Sequence, residues 1–116
     1  MEPEEEKAYS QLMQILTKKF DYSATDFHEI YIDVETIKSL LAFLIDPKTK
    51  LEQAYRQKVI EFIDQGKSHS ESETRAKAAE EYRKYRKLES SMNLGEELIR
   101  IRKKFKDTLE REFNRN

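Results

Sequence analysis

Apolar residues recur along this chain at steps of three and four, the spacing that gathers side chains on one face of an α-helix. Tyr9, Leu12, Met13, Leu16 and Phe20 follow that rule and predict a helix over 3–20. Pro3 and the glutamates 4–6 suit its first turn and the positive end of its dipole. A second set, Ile37, Leu40, Leu41, Leu44 and Ile45, with Phe43 on the other side, predicts a buried helix over 34–45 capped by Asp33. Asp46 and Pro47 then reset the chain, because proline cannot continue a helix but fits the start of one. Leu51, Ala54, Tyr55, Val59, Phe62 and Ile63 predict the next helix over 47–65, which Gly66 is placed to end. Residues 21–33, "DYSATDFHEIYID", lack a clear period. They read as a connector with one helical turn at most, Ser23 and Asp26 resembling its start, with Phe27, Ile30 and Ile32 as anchors to the core.

Ser70 and Glu73 have capping-box spacing and predict a last helix over 71–114. Uninterrupted, it would reach roughly 65 Å at 1.5 Å per residue, more than twice what the segment before it can cover. The surplus needs another helix, a second copy or a partner. Its apolar face also moves. Ala78, Tyr85, Leu88 and Met92 share one side, whereas Leu98, Ile101, Phe105, Leu109 and Phe113 lie about a third of a turn away on an ideal wheel. Either the helix bends near 93–95 or its halves face different neighbours, and the second set is the candidate surface for a partner or for self-association. The fold class is therefore all-α: an antiparallel helical hairpin or small bundle with one long C-terminal helix, in a single domain over 1–116.

Composition agrees. Charged residues make up 39% of the chain and hydrophobic residues 37%, a balance suited to long exposed helices. Two glycines and two prolines leave little turn chemistry for β-hairpins, and the lack of cysteine excludes disulfides and thiolate metal sites. No apolar run is long enough for a bilayer, and the acidic start "MEPEEEKAY" is the opposite of a targeting leader, so no membrane partner and a cytoplasmic location are expected. The net charge of −1 conceals an asymmetry: residues 1–74 carry 9 positive and 15 negative charges, residues 75–116 carry 13 and 8. Such polarity can attract a polyanion or a second copy, or be neutralised within the molecule.

Little catalytic chemistry is visible. "GKS" at 66–68 lacks the glycine a phosphate loop needs five positions earlier, where Glu61 stands, and it follows a helix. Neither His28 nor His69 has a second histidine or an ExxH partner at ligand spacing, although Asp26 and Glu29 beside His28 could in principle help bind a metal. Nothing marks a serine of the 68–72 loop as a nucleophile with a base and an orienting group. A non-enzyme without metal, cofactor or small-molecule substrate is the expectation. On an ideal wheel, however, Arg75, Arg86, Arg100, Lys104 and Arg111 fall within a band about 40° wide. Such a stripe can follow a phosphate backbone, with Tyr82 beside it to stack on unpaired bases. Glu89, Glu96, Glu97 and Asp107 border the stripe and weaken its field, which leaves a plain solvated face as the other reading.

The helix "LEQAYRQKV", the polar loop opened by Gly-Lys-Ser, and "AKAAEEYRKYRKLESSMNLGEELIRIRKKF" together cover the last two-thirds of the chain. In architecture and texture they resemble small helical-hairpin proteins of phage and prophage recombination–replication modules. That resemblance implies a DNA-metabolism context in a bacterial host cell and possible oligomers, and transfers no functional residue. Two readings follow. One is an accessory protein of a phage or mobile-element DNA-processing module, binding a partner protein, single-stranded DNA, or both through its last helix. The other is a purely protein-directed coiled-coil adaptor, or an inhibitor of a host enzyme or defence complex.

Overall fold

A computed structural model describes residues 1–18 and 27–114. Four helices and no strand occur among the described residues: α1 (Pro3–Thr17), α2 (Phe27–Asp64), α3 (His69–Lys77) and α4 (Glu80–Asn114). The all-α class holds. Phe20 and the Ser23–Asp26 helix start fall outside the described residues, as do the side chains of Phe27 and Phe113.

The element boundaries differ from the sequence expectation in three places. First, the helices expected over 34–45 and 47–65 are one, α2, which begins before Asp33 and runs through Pro47. Proline inside a helix removes a donor and costs about 3 kcal/mol. The Pro47 ring is buried, and apolar side chains on both sides of it are anchored, so packing offsets that cost. Residues 27–33 are helical because Ile30 extends the buried row Val34, Ile37, Leu40 and Leu44, overriding the β-branched look of "EIYID". Second, the last helix breaks at Ala78–Ala79, where the amides of both residues bond three positions back, to Arg75 and Ala76. Alanine is the best helix former, so helix propensity does not account for the break. Third, no bend occurs at 93–95, since α4 continues through Gly95.

The start of α3 is also shifted: Ser68 caps it, accepting from the Glu71 amide at 3.1 Å. Gly66 ends α2 as expected. Its φ of 90° is one that side chains disfavour, and the amides of Gly66 and Lys67 reach back to Ile63 and Phe62. At α1, Pro3 occupies the first turn and the Glu2 amide donates to Glu5 Oε1 at 2.9 Å.

The chain forms two compact units. Unit 1 holds α1, residues 27–44 of α2 and residues 91–114 of α4. Tyr9 bonds Ser91, and a Cβ placed at Gly95 would meet Leu12, so α1 runs parallel to α4. The same Cβ would meet Leu41 and Ile37, while Asp33 meets Arg102, so α2 runs antiparallel to α4. Ala8, Leu12, Ile30, Val34, Ile37, Leu40, Leu44 and Met92 are buried between them, each worth about 1.5–3 kcal/mol for a large side chain. Gly95 lies where all three helices meet: its Cβ would stand 3.1 Å from Leu41 Cδ2 and 3.5 Å from Ile37 and Leu12. Part of the expected surplus of α4 length is thus taken up, because α1 lies alongside residues 91–101 of α4 and α2 alongside residues 95–102.

Unit 2 holds residues 45–64 of α2, α3, and residues 80–90 of α4. Its interior is smaller and more polar. Ser72, Ala76 and Leu88 are buried, and Tyr55 meets Tyr82 with ring centroids 4.8 Å apart. Tyr85 extends that cluster, 6.4 Å from Tyr82.

Candidate functional site

The seven-residue row Leu88, Gly95, Arg102 and Leu109 carries the core-facing side of α4. Arg102 therefore stands at a core register and is 1% exposed, while the neighbouring Ile101 is 46% exposed. Arg102 Nη1 donates to Asp33 Oδ2 at 2.5 Å across 69 residues of sequence, and Lys18 Nζ lies 3.9 Å from the same oxygen. Asp33 is 16% exposed, so the carboxylate bridges a dry guanidinium and a solvated ammonium. Sequence reasoning missed this pair, having placed Asp33 at a helix start and left Arg102 unused. The signal was there: counting by sevens from Leu88 lands on Arg102.

Next to this buried pair, unit 1 opens an apolar groove of about 180 Å³ between α1 and α4, lined by Leu16, Leu94, Leu98, Ile101 and Glu97. Leu94 is 59% exposed. Of the expected partner face, Leu98 and Ile101 line this groove, while Phe105 and Leu109 are half-buried. Leu94, missed from sequence, completes it.

The expected basic stripe is dispersed. Arg75 sits on α3, separated from α4 by the break, and pairs with Glu71 at 3.0 Å. Arg86 pairs with Glu89 and Arg100 with Glu97, each one turn apart on its own helix. Lys104 and Arg111 are exposed and have no ion pair among the described residues. Tyr82 is half-buried against Tyr55 and Tyr85, which occupies the ring expected to stack on bases. The Tyr85 hydroxyl donates to Glu89 Oε2 at 2.6 Å. That bond to a carboxylate, then burial, pushes the phenol up to about 12.

The histidines stay apart. His28 is exposed in the first turn of α2. His69 lines a cleft of about 440 Å³ in unit 2, with Val59, Ile60 and Ile63 at its apolar side and Arg56 and Glu73 at its rim. His69 Nδ1 lies 3.8 Å from Glu73. No group of three metal-ligating side chains occurs among the described residues, and none of the helices is long and apolar enough to cross a membrane. No protein-family model, curated protein or solved structure matches this chain.

Proposed function

We propose that this chain is a non-enzymatic helical binding protein that docks a helical segment of another protein in the groove between α1 and α4. The observation that carries this reading is that groove: Leu94 and Ile101 stand open beside Leu16 and Leu98 on a three-helix frame. A partner helix laying apolar residues at positions i, i+3 or i+4, and i+7 along it would bury them at about 1.5–3 kcal/mol each. Its setting in a phage or mobile-element DNA-processing module, in a bacterial cytoplasm, rests on the sequence resemblance.

Selection from a display library of random helical peptides tests the reading. Enriched peptides should carry that apolar spacing, and the variant Leu94→Glu with Ile101→Glu should fail to retain them. Peptides retained equally by the variant would overturn the groove as the docking site. Single-stranded DNA contact is the second reading, favoured by Lys103, Lys104 and Arg111, which have no ion pair among the described residues. It predicts a mobility shift that weakens steeply with salt and weakens further in Lys104→Glu with Arg111→Glu. Absence of any shift at low salt would exclude it.

A further inference from the structure

Only Ala78 and Ala79 separate α3 from α4. Ala78 keeps right-handed helical angles, and neither residue has the positive φ of a true turn. No side chain caps the first amides of α4, because Ala79 stands where a serine or an aspartate would accept their bonds. The Arg83 amide makes a long bond of 3.4 Å to the Ala79 carbonyl. An unbroken helix would give all of these amides a carbonyl one turn back.

The break also sets α3 out of phase with α4. On one ideal helix Ser72 would lie about 160° and Ala76 about 120° from the buried Leu88, on the side away from the core. In the structure both are 0% exposed, and Ser72 Oγ is buried without a hydrogen-bond partner among the described residues, which is unfavourable. The polar side-chain contacts of α3 do not offset this. Ser68 with Glu71, Thr74 with Ser70, Arg75 with Glu71 and His69 with Glu73 all close within residues 68–77. Among the described residues none of these contacts ties α3 to α2 or to α4. An unbroken helix has its own cost: Thr74 and Lys77 would turn towards the core side, about 40° and 20° from Leu88. Each arrangement repairs what the other leaves unsatisfied.

We infer that Ala78–Ala79 is a hinge on which α3 exchanges between its docked position and one in line with α4. Residues 65–68, with Gly66 at φ 90°, are long enough to join neighbouring antiparallel helices in either position. His69 and Glu73 form the α3 side of the cleft of about 440 Å³, across from Val59, Ile60 and Ile63 of α2. The swing therefore remodels that cleft, and α3 acts as its lid. The hinge stands whether or not the α1–α4 groove takes a partner.

Spin labels on the full chain test it. The chain has no cysteine, so labels at Ser70→Cys and Ser90→Cys, both exposed positions, are unique. Double electron–electron resonance should show two separations, one of about 30 Å for the in-line state and a shorter one for the docked state. Ser72→Ala should lower the long-to-short ratio at least about fivefold, because it removes the unpaired hydroxyl from the docked state alone. Ala76→Glu should raise that ratio at least about tenfold, since a carboxylate is expelled from the interior. Glu80→Pro should abolish the long component, because proline fits the first turn of α4 but not the middle of a helix. Circular dichroism should show helix content retained in each. A single separation in the labelled chain without further substitution overturns the inference, and so does a long component that survives Glu80→Pro. Neither result requires Ala76→Glu to fold.

Discussion

Removing the Asp33 carboxylate tests the burial of Arg102. In Asp33→Ala the guanidinium stays where it is 1% exposed and loses an acceptor at 2.5 Å. Removing one partner of a buried ion pair costs about 3–5 kcal/mol. Alanine recovers roughly half a kcal/mol of helix propensity, so a net loss of about 2.5–4.5 kcal/mol is expected. For a chain of this length that lowers the melting temperature by roughly 8–25 °C, a large share of the 5–15 kcal/mol a domain has. Arg102→Met should cost less, about 1–3 kcal/mol, because it keeps the stem volume and leaves a carboxylate that reaches water and Lys18. The informative variant is the double one. With both charges gone, Asp33→Ala plus Arg102→Met should recover at least about 2 kcal/mol over Asp33→Ala alone, since a buried ion pair gains little over apolar packing. Urea unfolding followed by helix circular dichroism supplies the four free energies. A single-variant loss below about 1 kcal/mol, or a double variant no more stable than Asp33→Ala, would refute the reasoning.

Three other expectations follow from single sites. Ser72→Ala should stabilise the fold by about 0.5–2 kcal/mol in urea unfolding, because Ser72 Oγ is buried without a hydrogen-bond partner and alanine is the better helix former. Pro47→Ala should also stabilise, by about 1–2 kcal/mol, as the regained amide bond to the Phe43 carbonyl outweighs the lost ring burial and the looser unfolded chain. An ultraviolet phenolate titration should show a component ionising late, near 12, that Tyr85→Phe abolishes. The sign follows from the raised value: the fold favours the protonated phenol, so its contribution to stability is complete below about pH 10 and is lost as pH rises through about 12.

Helix content and type were legible in the sequence wherever apolar residues held their period, and so was Gly66, whose freedom from a side chain makes it a natural end for α2. The breaks were not. Local chemistry put one at Pro47 and allowed another at Gly95, yet both positions are inside helices because their surroundings are packed. The break that does occur falls between two alanines, where nothing local announces it. Arg102 was hidden for a related reason. A charged residue at a core register looks like a change of face, so Ile101 was given the place that Arg102 takes. Seeing it required Asp33, which lies 69 positions away and offered a sufficient local role as a helix cap.

The same separation decides how the charges bear on function. Along the sequence the acidic and basic halves differ by eleven charges, from −6 to +5, enough to make a polyanion an attractive partner. The fold sorts residues differently, because α4 returns its basic second half to the acidic α1 and the start of α2. Unit 1 then carries 11 positive and 14 negative charges, a net of −3, and unit 2 carries 11 and 9, a net of +2. A phosphate backbone approaching α4 in unit 1 meets Glu97 beside Arg100 and a guanidinium at Arg102 that is already buried. Affinity for nucleic acid scales with the number of phosphates neutralised, so a surface with few unpaired cations binds weakly. Apolar contact is not weakened in this way: Leu94 and Ile101 stay exposed whatever the charge around them, which is why the protein-directed reading is the stronger one.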